Sequence, residues 1–190
     1  MHINFPLLKT FEVDYSIVDF LNIKLKEYKN RYPLTSDFKS ENSFTNKKKN
    51  SGYQTSNMLF WDDIDFINFY KNDLLKIIKS HLGERIKISY YFMHILEYEN
   101  GGSMDYHTHM HNEDYVLFIY LETCKTGDTV FHLNCYNEEY GRRTQIELKP
   151  RKGLGAIFSS MLLHRGEYTE ENKKIFVVGI RIDTSVSDLS

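Results

Sequence analysis

"RIKISYYFMHILEYE" (85–99) is the stretch on which the fold turns. Its β-branched and aromatic residues alternate with polar ones, the period of a strand with one buried face. Before it the apolar spacing is helical. In "YSIVDFLNIKLKEYKN" (15–30), Ile17, Phe20, Leu21 and Leu25 fall on one side. "DDIDFINFYKNDLLKIIKSHLG" (62–83) is the clearest helix. Asp62, Asp63 and Asp65 sit at its positive N-terminal end, Gly83 can stop it, and Phe66, Ile67, Tyr70, Leu74, Ile77 and Ile78 form the apolar face. "INFPLLKTFEVD" (3–14) suits a strand or an extended entry segment. The polar stretch 31–56, with its Lys47–Lys49 run, reads as a long surface loop, either a solvated linker or a flap over a site.

After residue 99 the chain becomes a series of short strands. "YVLFIYLE" (115–122) is a continuous apolar run, suited to a strand buried on both faces. "DTVFHLN" (128–134), "RRTQIELKP" (142–150), "GLGAIFSS" (153–160) and "KKIFVVGIRID" (173–183) follow, separated by turn signals such as "KTGD", "NEEYGR" and "TEENK". Helices followed by many short strands imply a mainly β, α+β architecture. A β-sandwich or barrel with N-terminal helices buttressing one side fits best. One domain over 1–190 is expected, with a helical and loop part at 1–84 and a strand-built core at 85–183.

Composition narrows the function classes. The 190 residues are 41% hydrophobic and 15% aromatic, enough for a packed core. A formal net charge of −2 indicates neither nucleic acid nor a membrane as partner. No apolar run reaches membrane-spanning length, and the N-terminal residues are too polar for a signal peptide. Cys124 and Cys135 form no CxxC motif and suit a reducing interior. The expectation is a soluble, cytoplasmic protein.

The chemistry is concentrated in "YHTHMHNEDY" (106–115), where His107, His109 and His111 alternate, although the whole chain holds only eight histidines. In an extended chain, residues two apart point to one face, so Asp105, His107, His109 and His111 would face together if a strand reaches that far. Two imidazoles so placed can bind one metal, with a third ligand from elsewhere. His164 follows a strand-like run and suits the mouth of the same barrel. The plain alternative is an exposed polar edge with His164 as a surface or capping residue. His2, His81, His94 and His132 read as structural or exposed.

These residues also carry a resemblance. "LEYENGGSMDYHTHM" (96–110) resembles the first metal motif of iron(II)- and 2-oxoglutarate-dependent oxygenases of the prolyl-hydroxylase-like kind, in which a Tyr, a short Gly turn and an H-x-D/E pair recur. Tyr98, Gly101 and His107 fall at those places. "FIYLE" resembles the following strand, where a Tyr contacts the co-substrate. "KPRKGLGAIFSSMLLH" resembles the second motif, with Pro150, Gly153, Phe158 and His164. "NSGYQTSNMLF" (50–60) is similar to the "GWQS" segment of a phage and marine-bacterial branch that carries H-x-H. The resemblance covers roughly 50–183. It implies a double-stranded β-helix, the jelly roll of cupin-like proteins. It implies that His107, His109 and His164 hold Fe(II), and that Tyr98, Tyr120 and Lys174 bind 2-oxoglutarate, with Lys173 the neighbouring candidate. The activity implied is hydroxylation of a small-molecule or peptide substrate, of unknown identity.

The departure from the family pattern is His109, which stands where a carboxylate is usual. Three imidazoles still suit iron(II) but leave it more positive. Glu113 or Asp105 could supply the anion. "G-x5-H-x-H-x3-E", from Gly101 to Glu113, also resembles the first cupin motif, although His164 lies too far from Gly153 for the second. Two other readings stay open: a cupin-like metalloenzyme that uses no 2-oxoglutarate, with Glu113 as fourth ligand, and a metal-free binding domain on the same fold. If the first reading holds, Lys174 and Tyr120 should point into the barrel beside His164, Lys173 should face the other way, and His111 should lie outside the metal's ligands. Tyr53 and Gln54 should approach the pocket if the long loop is a flap.

Overall fold

The strand Tyr115–Tyr120 is buried at every position, and its alternation explains how. Tyr115, Leu117 and Ile119 pack in one apolar cluster with residues of the helices, while Val116, Phe118 and Tyr120 pack in a second cluster between two sheets. A strand with no wet face is apolar throughout, which is why "YVLFIYLE" lacks a polar–apolar alternation. The computed structural model describes residues 7–32, 52–98, 102–109, 112–137 and 142–183.

In chain order the elements are β1 (Leu8–Glu12), α1 (Tyr15–Arg31), β2 (Gly52–Gln54), a 3-10 turn (Met58–Phe60), α2 (Ile64–Phe69), a π turn (Tyr70–Leu74), α3 (Leu75–Leu82), β3 (Ile88–Tyr98), β4 (Met104–His107), β5 (Tyr115–Tyr120), β6 (Thr129–Asn137), β7 (Arg142–Leu148), β8 (Leu154–Ser159), β9 (Leu163–Gly166) and β10 (Lys173–Ile182). They form a six-stranded sheet, β1-β8-β5-β10-β3-β2, and a four-stranded sheet, β4-β9-β6-β7. The antiparallel pairs nest: β6 with β7, β5 with β8, β4 with β9 and β3 with β10. One long hairpin is thereby wound across two sheets, which is a double-stranded β-helix, the jelly roll.

Strands are not confined to the region after residue 85. β1 and β2 supply both outer edges of the larger sheet, pairing with β8 and β3. Of the stretch 31–56 read as a long loop, residues 33–51 lie outside the described residues, as do His2 and His111, while its end is not loop but the strand β2, paired to β3. The helix expected over 62–83 is present but interrupted by the π turn. There the Tyr90 hydroxyl of β3 donates 2.7 Å to the Tyr70 carbonyl oxygen, an acceptor that a widened turn leaves available.

The helices are tied together by buried charge. Lys24 on α1 is 5% exposed, and its Nζ lies 2.9 Å from Asp63 Oδ2 and 3.0 Å from Glu27 Oε2. Asp63 is also the N-cap of α2, its Oδ1 accepting from the Phe66 N–H at 2.8 Å. Burial opposes the charge on both groups, yet their mutual hydrogen bond holds the Asp63 carboxyl below and the Lys24 ammonium above their usual ranges. Asp63→Ala should therefore cost about 2–4 kcal/mol, combining a lost cap with a buried ammonium stripped of its main partner. Asp63→Asn, which keeps the cap, should cost less. Because the folded carboxyl titrates below its unfolded value, this stabilisation is present above about pH 4 and fades as pH falls through the folded pKa. Urea unfolding of the wild type and both variants at pH 7 and pH 3 checks this: the three should differ at pH 7 and converge in acid.

Candidate functional site

A half-open cavity of ≈ 270 Å³ lies between the two sheets. Its wall is largely apolar, with Leu96, Val116, Phe118, Phe158, Ile175 and Val177 contributing. Against that wall the polar groups stand out. His107 ends β4 and is paired directly with His164 on β9, so antiparallel register places the two imidazoles side by side, ring centres 4.2 Å apart. His109 lies beyond the strand. Its backbone N–H donates to the Ser160 carbonyl at 2.9 Å, which brings its ring parallel to His164 at 5.2 Å. One ring nitrogen from each of the three lies within 4.8 Å of the others.

The strand expected to present Asp105, His107, His109 and His111 together does not do so. Pairing is irregular between Met104 and His107 and stops at His107. Asp105 is exposed and is not part of the group.

Each imidazole has its Nδ1 committed. His107 Nδ1–H donates to the Asp105 carbonyl at 2.8 Å, and His164 Nδ1–H to the Leu162 carbonyl at 2.9 Å. His109 Nδ1 lies 3.3 Å from Glu113 Oε1, a carboxylate side chain only 4% exposed. An acceptor at Nδ1 selects the tautomer whose Nε2 carries the lone pair, the arrangement of a metal-ligating imidazole. Burial lowers the pKa of His107. Burial, reinforced by His107 and His109, pushes His164 down to about 3, so both stay neutral at pH 7. Three converging imidazoles fit a first-row divalent metal such as Fe(II). Glu113 sits behind His109 rather than beside it.

Lys173 and Lys174 exchange the places expected of them. Lys173 is fully buried and lines the cavity. Its Nζ donates 2.7 Å to the Gly127 carbonyl and lies 4.7 Å from the centre of the Tyr98 ring. Burial draws its pKa down to about 8. Lys174 points the other way and pairs with Glu122 at 3.0 Å. Strand parity is the reason: Lys173 shares its side with Ile175 and Val177 of the inter-sheet cluster, and Lys174 shares Phe176's side. Tyr120 also departs from expectation. Its ring is buried between the sheets, but its hydroxyl donates to the Leu148 carbonyl (3.0 Å) and shares a 2.6 Å bond with the Thr129 hydroxyl. Thr129 and Tyr98 line the cavity; Tyr120 does not.

Among residues read from sequence as structural or exposed, His94 lines the cavity, its Nδ1–H donating to the Thr55 carbonyl at 3.0 Å. It shares β3 parity with Phe92, Leu96 and Tyr98, all of which line the cavity, and that alternation was the signal available. Gln54 reaches the cavity. Tyr53 instead lies under the Lys29 ammonium, 5.1 Å from its ring centre. His132 is hydrogen-bonded to the Tyr106 hydroxyl. Thr129 and Arg165 also line the cavity, and nothing in their sequence context marked them. Among the described residues, no helix is long and apolar enough to cross a membrane.

No protein-family model matches the sequence, and no curated protein matches it. Solved structures do match. A Pseudomonas putida prolyl-4-hydroxylase superposes with a TM-score of 0.64 at 12% identity, over 92% of this chain and 92% of that one. SnoN, a non-heme alpha-ketoglutarate-dependent epimerase from nogalamycin biosynthesis, gives 0.64 at 10% identity, over 92% and 77%. A 2OG-Fe(II) oxygenase family oxidoreductase from Burkholderia pseudomallei gives 0.52 at 15% identity, over 62% of this chain and 57% of that one. The chain thus has the fold of 2OG-Fe(II) oxygenases, prolyl hydroxylases among them, with a His-x-His…His cluster inside it.

Proposed function

We propose that this chain is an iron(II)- and 2-oxoglutarate-dependent oxygenase that hydroxylates a small-molecule or peptide substrate. The observation that carries the reading is one apolar cavity holding both three converging imidazoles and a buried lysine ammonium. His107, His109 and His164 would hold the metal. With Fe(II) bound there, O₂ would be the oxidant, 2-oxoglutarate and the substrate C–H bond would each give up two electrons, and the protein would supply ligands, orientation and a largely apolar pocket.

Lys173, not Lys174, would anchor the distal carboxylate of 2-oxoglutarate. A buried ammonium is costly without an anionic partner, and Gly127 takes only one of its three donors. The spacing suits a five-carbon dicarboxylate. A Cβ built on Gly166 would lie 3.6 Å from Lys173 Nζ, and Gly166 is two residues along β9 from His164, roughly 7 Å in a strand. The Thr129 hydroxyl, held by Tyr120, and Tyr98 complete that end of the cavity. Thus Tyr120 would act through Thr129, and Glu122 would simply neutralise Lys174 on the outside.

Two measurements test this. Anaerobic titration with Fe(II), read by calorimetry, should show one site per chain that His164→Ala abolishes. Absence of uptake by the wild type would favour a metal-free binding domain. Titration of the metal-loaded protein with 2-oxoglutarate should show Lys173→Ala weakened roughly 10–100-fold, the loss of a charge-assisted hydrogen bond, and Lys174→Ala nearly unchanged. Metal uptake with no 2-oxoglutarate binding would favour a cupin-like metalloenzyme.

The same anchor predicts a pH dependence. With Lys173 titrating near pH 8 in the free protein and higher once paired with an anion, 2-oxoglutarate affinity should be level below pH 8. It should fall by up to tenfold per pH unit above it. Lys173→Met should flatten that limb; a limb that persists in the variant would assign it to another group.

A further inference from the structure

We infer that Glu113 supplies, from behind His109, the negative charge that the ligand set itself lacks, and so acts as the positioning residue of the metal centre. The inference rests on the metal reading above and deepens it. His107 and His164 are backed by main-chain carbonyls, which are neutral. His109 alone is backed by a side-chain carboxylate, 3.3 Å away and 4% exposed. That is also the one position at which the resembled family carries an acidic ligand. The carboxylate has moved one bond network outward, where it orients the ring, fixes Nδ1 as the protonated nitrogen and strengthens Nε2 as a donor.

The geometry is built, not incidental. Residues on either side of the Glu113 side chain are pinned to both neighbouring strands. Asp114 N–H donates to the Ile180 carbonyl (2.8 Å), and its carboxylate accepts from the Ile182 N–H (2.8 Å). The Asp114 carbonyl accepts from the Ser160 N–H (3.0 Å), while the Ser160 carbonyl accepts from the His109 N–H (2.9 Å). Asn112 is gripped by the Arg181 guanidinium through its backbone carbonyl and its Oδ1. Its own N–H donates to Glu113 Oε2 at 3.0 Å. One oxygen of Glu113 is thus held by the backbone and the other faces His109. A carboxylate buried this deeply is costly without positive charge nearby, and a divalent cation on the far side of the His109 imidazole would supply it.

Co(II) reports on this directly, through its affinity and its visible ligand-field bands, without turnover. Wild type, Glu113→Gln and Glu113→Ala would be titrated anaerobically with Co(II) after far-UV circular dichroism confirms that each is folded. Glu113→Ala should lose roughly 10–100-fold in affinity. Glu113→Gln keeps an acceptor for the Nδ1 proton but not the charge; it should lose less and shift the ligand-field bands while keeping their number and intensity class. A change of intensity class in Glu113→Gln would make Glu113 a direct ligand and overturn the inference. So would wild-type affinity and an unshifted spectrum in Glu113→Gln, even if Glu113→Ala fails to fold. Failure of the wild type itself to bind Co(II) would overturn the metal reading, a result distinct from either.

Discussion

The site depends on the pairing of β4 with β9. That register sets His107 opposite His164, and both strands belong to the four-stranded sheet, away from the helix-packed cluster of the described residues. Two imidazoles from strands far apart in sequence can share a ligand only if the nested hairpin is fully wound. β9 must lie between β4 and β6, and β6 must bring Phe131 to His164. The Phe131 and Phe158 rings flank His164 at 5.7 and 4.8 Å, and their desolvation keeps its imidazole neutral. The larger sheet, braced by the helices, fixes the opposite wall. Phe92 lies across Gly179, where a Cβ would stand 2.5 Å from the ring, and it stacks on His109 with centres 5.9 Å apart. A side chain at Gly179 would drive Phe92 towards the histidines, so the glycine is required by contact and not by backbone conformation.

Sequence periodicity made the helices and the main strands legible because each has a distinct wet and dry face, or none at all. α1 starts at the expected residue, and the apolar run at 115–122 is the central buried strand. The edges were harder to read. β2 is three residues long, and β4 and β9 four each, too short for any period to emerge. The π turn, too, leaves the apolar spacing of 62–83 nearly unchanged while altering the backbone.

The lysine register failed for a related reason. "KKIFVVGI" is apolar on both faces, because one packs on helices and the other on the cavity, so alternation could not say which lysine turned inward. Parity had to come from β3. Lys173 pairs with Tyr98, and Tyr98 shares its face with Leu96 and His94 in the cavity. The histidine set was easier, since H-x-H and a distant His carry a type-specific signal. Even so, the geometry is not the simple same-face strand. His109 sits past the strand end, placed by a main-chain bond to Ser160 that no pattern of side chains encodes.

A shared fold leaves the reaction open, and the structural neighbours include both a hydroxylase and an epimerase. What must distinguish such proteins lies outside the three clustered histidines. The cavity is apolar at its centre, with Lys173, Thr129 and Tyr98 grouped where β10 begins and Gln54, His94 and Arg165 reaching it from β2, β3 and β9. The first group is suited to an anion. Gln54 and His94 present neutral hydrogen-bonding groups, and His94 has its tautomer fixed by the Thr55 carbonyl, so its Nε2 is an acceptor. An apolar cavity with cationic groups at Lys173 and Arg165 and neutral hydrogen-bonding groups at Gln54 and His94 would select by rejection. A substrate group left unpaired against that wall costs more than a matched hydrogen bond returns, and the polar groups that could meet it come mainly from the long strands β3, β6 and β10, with Gln54 and Arg165 added by the short β2 and β9.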